Sequence, residues 1–268
     1  AYSFPMTQDD PIYIQKQAPL GWMVFNRPAK RNAINQAMWS EFSKLLADLE
    51  SDPEIRVIIF RGVGDTSFSC GMDVDELKAL RDANDFTFSP MKPTTAAFDA
   101  LAKCSKPTIS MIHGECIGGG CAIALNTDLR IAADDAYFAM TPAKMGLGYP
   151  LKGIERMVQE VGASNARYLF VTAKKINAEH ALRIGLVHEV HPKAALEAAT
   201  IELAHTVASN APKSIRAALK TIQQVLLSPS DRNSGAIRQW IADCTNSEDY
   251  EEGLNAFAEK RAPEFRDR

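Results

Sequence analysis

Two glycine-containing turns hold the residues best suited to chemistry. They are Ser67-Phe68-Ser69-Cys70-Gly71-Met72-Asp73 and His113-Gly114-Glu115-Cys116-Ile117-Gly118-Gly119-Gly120-Cys121-Ala122. Each falls between an apolar strand pattern and a helical one. Glycine permits a tight turn and lets a ligand approach the backbone closely. N–H groups that open a helix are unpaired and sit at the positive end of its dipole. Two such turns facing each other make an oxyanion hole, a pair of fixed donors for negative charge developing on a carbonyl oxygen. Taken singly, each turn is an ordinary strand-to-helix connection; it is the pair that points to chemistry.

The titratable residues around these turns have plainer readings. Asp73 is placed to cap the helix that follows it. His113 ends a buried strand and reads as structural, whereas Glu115 lies inside the second turn as an acid–base candidate. His180, His188, His191 and His205 have no metal-ligand spacing with carboxylates, so no metal is expected. The five cysteines, Cys70, Cys104, Cys116, Cys121 and Cys244, are odd in number and include no CxxC pair. That pattern suits a reduced compartment, with Cys116 and Cys121 as buried thiols.

The elements that position these turns follow from periodicity. Ile12–Ile14 and Trp22–Phe25 read as strands joined by a turn near Pro19-Leu20-Gly21. Asn35 is an N-cap for a helix over 36–51, with Met38, Phe42, Leu45, Leu46 and Leu49 at helical spacing. Val57–Phe60 is a continuous apolar strand, a helix follows near 73–82, and 83–95 reads as an irregular loop before a helix near 94–103. Thr108–Ile112 is a buried strand, the glycine-rich turn opens a helix to about Asn126, and Leu129–Ala132 and Tyr137–Ala139 are short strands. Beyond 153 the pattern is almost wholly helical, with helices near 153–160, 163–172, 177–184, 193–208, 212–227, 231–245 and 247–260. Strand–helix alternation over 56–140 argues for an α/β core of repeated β-β-α units. Residues 1–205 are expected to form that core, and 206–268 a helical region serving as assembly surface or lid.

Composition sets the outer bounds. The chain has 268 residues, 46% hydrophobic and 24% charged, with a net charge of −3, which fits one large globular core. That balance, with no basic stripe, argues against nucleic acid and anionic membrane surfaces as partners. No apolar run reaches the roughly 20 residues of a membrane span, and residues 1–11 lack a signal-peptide pattern. A cytoplasmic location is expected.

Beyond these patterns, the chain resembles the crotonase (enoyl-CoA hydratase/isomerase) superfamily from about residue 12 to 266. The matching segments are Asn26-Arg27-Pro28 to Asn32-Ala33, Ser69-Cys70-Gly71-Met72-Asp73, Lys106-Pro107 to Gly114, Ile117 to Cys121, Ala181 to Val187, and Ser247-Glu248-Asp249 to Arg261-Ala262-Pro263. The resemblance implies a crotonase (ClpP-like) α/β fold of β-β-α units with a C-terminal helical region. It implies an acyl-CoA substrate, coenzyme A as part of that substrate rather than a tightly bound cofactor, and assembly as a homotrimer or dimer of trimers. It assigns the oxyanion donors to the backbone N–H groups of Met72 and Gly119. It places CoA contacts at Ala29, Lys30, Arg31, Ala33 and Cys70, with Phe257 and Lys260 reaching the nucleotide of a neighbouring subunit.

The hydratases of that superfamily use two glutamates, and here the corresponding positions are Ala122 and Pro142. Neither can transfer a proton, which puts ordinary hydration in doubt. The segment Met140-Thr141-Pro142 to Tyr149-Pro150 resembles the methylmalonyl-CoA decarboxylase branch, in which the residues matching Thr141 and Tyr149 line the acyl pocket. That branch has a histidine where this chain has Met72. The expected reaction is decarboxylation of a short malonyl-type CoA through an enolate. The alternatives are hydration or isomerisation with relocated acid–base groups, thioester hydrolysis, and a non-enzymatic scaffold or nucleic-acid-binding relative that kept the fold.

Overall fold

The computed structural model describes residues 10–82 and 91–267. Two sheets carry the site. The larger has six strands in the order β1 (Ile12–Gln17), β2 (Leu20–Phe25), β3 (Val57–Gly62), β5 (Thr108–Ile112), β7 (Leu129–Ala133) and β10 (Glu189–His191). The smaller has four: β4 (Ser67–Ser69), β6 (Glu115–Ile117), β8 (Tyr137–Ala139) and β9 (Ile176–Asn177). The chain alternates between them: β3, β5 and β7 enter the large sheet, and β4, β6 and β8 follow directly into the small one. From β2 onward the large sheet is parallel; among the described strands, β1–β2, as a hairpin, and β8–β9 pair antiparallel.

Parallel strands covered on both faces should be apolar throughout rather than alternating. β3 shows this: Ile58 and Phe60 join the core shared with α1 (Gln36–Ser51) and α3 (Met91–Lys103), while Val57 and Ile59 face α7 (Leu196–Ala208) through Leu196, Ala204 and Ala208. α1 begins as its sequence requires, with the Asn35 side chain accepting from the Met38 N–H at 3.0 Å. Its inward stripe of Met38, Trp39, Phe42, Leu46 and Leu49 is buried, each side chain worth about 1.5–3 kcal/mol.

The remaining elements are α2 (Val74–Asp82), α4 (Gly119–Asn126), α5 (Leu151–Thr172), α6 (Ala178–Arg183), α8 (Pro212–Val225), α9 (Ser234–Thr245) and α10 (Glu248–Glu259). The structure corrects the sequence reading in several places. The first hairpin turns at Ala18-Pro19, so both strands are longer than expected. α3 starts at Met91, three residues early, and the rest of the stretch expected to be irregular, 83–90, lies outside the described residues. The helices expected at 153–160 and 163–172 are both present, meeting at non-helical Gly162, and the first begins two residues early at Leu151. β4, β6, β9 and β10 were not anticipated. No helix among the described residues is long and apolar enough to cross a membrane.

Candidate active site

The first glycine turn leaves β4 and is pinned by the segment ahead of α1. The Ile34 N–H donates to the Gly71 carbonyl at 2.8 Å, and the Asp73 N–H donates to the Ile34 carbonyl at 3.1 Å. In such a parallel bridge the neighbours of Met72 supply the paired groups, so the N–H of Met72 itself points away from Ile34. It meets no acceptor among the described residues. The Asp73 carboxylate caps α2, accepting from the N–H groups of Asp75 (3.1 Å) and Glu76 (3.4 Å), and its second oxygen takes the Arg27 guanidinium at 2.8 Å. Burial pushes this carboxyl upward, but the Arg27 and backbone hydrogen bonds outweigh it and hold the group below its ordinary value.

The second turn leaves β6. The Gly118 N–H donates to Ala139 at 2.9 Å, and α4 starts at Gly119. As the first N–H of that helix, the Gly119 donor has no intrahelical partner, and no other described residue accepts it.

The two turns are in backbone contact. A β-carbon on Gly71, whose φ is +95°, would stand 2.7 Å from the Ile117 carbonyl oxygen and 2.8 Å from the Gly119 nitrogen. One on Gly119 would stand 3.4 Å from the Met72 nitrogen. Two free N–H donors therefore belong to abutting segments, with no side chain between them. Such a pair can receive a carbonyl oxygen as it becomes negative.

Of the expected acyl-pocket residues, Thr141 lies against the second turn. The Thr141 hydroxyl oxygen comes within 3.5 Å of the β-carbon position on Gly118 and has no hydrogen-bond partner among the described residues. Ala122 and Pro142 are buried, while Ala143 is exposed. The half-buried Tyr149 ring packs on Phe170, with centroids 5.0 Å apart. It occupies the space over Gly153, where a β-carbon would meet its Cε1 at 2.3 Å. Burial, helped by nearby Cys121, raises the Tyr149 hydroxyl well above the usual phenol range. It is thus a neutral O–H, a donor rather than a base.

The expected CoA contacts lie in the 27–33 segment and at Cys70, which is bonded to it. Ala29, Lys30 and Arg31 are exposed and Ala33 is buried. Lys30 pairs with Asp75 at 2.6 Å and Arg31 with Glu115 at 3.2 Å. Cys70 is tied to the same segment, its N–H donating to the Arg31 carbonyl at 3.0 Å and its thiol to the Lys30 carbonyl at 3.5 Å. Burial pushes the Cys70 thiol up, so it stays protonated. Phe257 and Lys260 stand apart: both are exposed on or just after α10, and neither is joined by a hydrogen bond or ion pair to the other expected site residues.

Glu115 is buried and engaged. Besides Arg31 it accepts the Tyr137 hydroxyl, and Lys175 approaches at 4.0 Å. Burial and that hydrogen bond push the Tyr137 phenol up to about 12. Sequence reasoning gave no role to Arg27, Asn32 or Tyr137. Asn32 is the hub of the 27–33 segment: its side chain accepts from the Arg27 N–H (3.0 Å) and donates to the carbonyls of Val63 (3.0 Å) and Ser67 (2.7 Å). With φ of +53° it occupies the left-handed region, where asparagine is enriched among non-glycine residues; that preference is the signal that marks it.

The chain is similar in sequence and in fold to known proteins. Residues 15–268 match the family model described as enoyl-CoA hydratase/isomerase. The methylmalonyl-CoA decarboxylase of Escherichia coli is 36% identical over 249 residues, covering 90% of this chain and 92% of the relative. The short-chain-enoyl-CoA hydratase of Clostridium acetobutylicum is 30% identical, covering 93% and 95%. Among solved structures, an enoyl-CoA hydratase/carnithine racemase from Magnetospirillum magneticum superposes with a TM-score of 0.92 at 26% identity, covering 97% of each chain.

Proposed function

Given that the chain belongs to the enoyl-CoA hydratase/isomerase family, we propose that it decarboxylates a short malonyl-type CoA thioester, with the backbone N–H groups of Met72 and Gly119 holding the enolate oxygen. The bond between the α-carbon and the carboxylate breaks and CO2 departs. The electron pair moves into the thioester, whose oxygen becomes the enolate oxygen between the two donors. A proton then returns to the α-carbon. Each backbone donor of this kind is worth roughly 3 kcal/mol of barrier.

The observation that carries the reading is the pair Ala122 and Pro142, both buried, at the positions where the hydratase glutamates are expected. Decarboxylation needs no base to generate the enolate, so their loss leaves this chemistry intact. It also keeps carboxylates away from an anionic substrate group, which they would repel. The neutral Tyr149 hydroxyl suits hydrogen bonding to the departing carboxylate or proton delivery, with Thr141 as a further acyl-pocket residue. The decarboxylase relative at 36% identity supports the same choice.

Hydration, isomerisation or thioester hydrolysis is the second reading. The hydratase relatives favour it, as does the buried carboxylate of Glu115 within the second turn. In either reading Ala29, Lys30, Arg31, Ala33 and Cys70 line the CoA path. The chain acts in the cytoplasm as a trimer or dimer of trimers, in which Phe257 and Lys260 meet a neighbour's nucleotide. The exposure of Leu254 and Phe257 on α10 supports a partner there.

Purified protein incubated with methylmalonyl-CoA and malonyl-CoA tests the proposal. Release of CO2, abolished by Tyr149→Phe and retained by Glu115→Gln, is the expected result. No CO2 from either, with turnover of crotonyl-CoA abolished by Glu115→Gln, would replace it with the second reading.

A further inference from the structure

We infer that Arg27 is a positioning residue for the oxyanion site, clamping the chain beside Met72 so that its amide stays aimed at the substrate oxygen. The inference rests on the site reading above and adds a residue outside both glycine turns.

The first donor follows Gly71, and the bridge to Ile34 holds it through the backbone of its two neighbours. Arg27 supplies a second hold. Its Nη2 donates to the Asp73 carboxylate at 2.8 Å and its Nη1 to the Ala33 carbonyl at 2.8 Å. One planar group thus fastens the residue after Met72 to the residue before Ile34. The Arg27 and Asp73 side chains are 19% and 10% exposed, so water competes weakly for the pair. The backbone of Arg27 is itself fixed: its N–H donates to the Asn32 side chain and its carbonyl accepts from the Asn32 N–H at 2.9 Å. A lysine has one compact head and cannot span both acceptors in this geometry. Nothing in the arrangement puts Arg27 on the substrate; it acts through Asp73.

The test uses a probe that does not depend on which reaction the enzyme performs. Acetoacetyl-CoA, a β-ketoacyl thioester, is titrated into the intact protein while the near-ultraviolet absorbance of its enolate is followed. The same is done with Arg27→Lys, Arg27→Gln and Asp73→Asn, each checked by thermal melting and by binding of CoA alone. Wild type should develop the enolate band. The variants should retain CoA binding, lose most of the band, and show kcat on the turned-over thioester reduced about 10- to 100-fold with little change in KM, as expected for a misplaced donor. Wild-type bands and kcat in folded Arg27→Lys and Asp73→Asn overturn the role of Arg27. Absence of the band in wild type overturns the oxyanion reading itself, which separates the two failures. Should Arg27→Gln fail to fold, Asp73→Asn still decides, because it removes the contact from the other end.

Discussion

The α-carbon of Gly71 faces the amide nitrogen of Gly119 so closely that a β-carbon on the former would stand 2.8 Å from the latter. Gly71→Ala must therefore push the two turns apart, and at φ of +95° alanine is strained as well. Loss of one aligned donor costs about 10²–10³ in kcat. We expect a fall of that size on any CoA thioester the enzyme turns over, read by steady-state kinetics alongside a melting curve that shows the variant still folded.

Tyr149 and Gly153 make a second coupled pair. The Tyr149 ring fills the space above Gly153, so Gly153→Ala should displace the ring and lower turnover as Tyr149→Phe does, by at least about tenfold for a lost proton donor. The two losses should fall short of additive in the double variant, because both act on one hydroxyl. Full additivity would show that Gly153 matters for another reason.

Asn32 holds the 27–33 segment onto β4. Asn32→Ala strands the Val63 and Ser67 carbonyls and the Arg27 N–H in a buried setting and places alanine at positive φ. We expect a loss of about 2–4 kcal/mol in urea unfolding, with the midpoint lowered and the slope unchanged.

His113 gives stability a pH dependence. It is buried, its Nε2 has no partner among the described residues, and burial lowers its pKa to about 4 from 6.5. Between those values the unfolded chain takes up a proton that the folded chain refuses. Stability at neutral pH is therefore lost as pH falls from about 6.5 and levels off near 4, by up to about 3 kcal/mol. Urea titrations at several pH values should show this slope in wild type, and a much weaker one in His113→Phe.

Much of the scaffold could be read from the chain. The Asn35 cap, the continuous apolar run of Val57–Phe60 and the break at Gly162 are local signals, and each lies where residue type and period say it should. Most of the second sheet was not legible: β8 was readable at Tyr137–Ala139, but β4 and β6 have three residues each and β9 only two, as β10 of the large sheet has three, too few to display a period of 2. The glycine turns were visible as motifs, but their contact depends on that sheet. The Arg27–Asp73 and Asn32–Ser67 bonds span 46 and 35 residues, and no local pattern announces partners at such separation.

The central claim is that one substrate oxygen sits between the N–H groups of Met72 and Gly119. A crystal structure with a non-cleavable malonyl-CoA analogue measures this directly. The account predicts the carbonyl oxygen at about 2.7–3.1 Å from both nitrogens, with the acyl carboxylate toward Tyr149. A thioester oxygen bound elsewhere, with these two amides facing only water or protein, would contradict it.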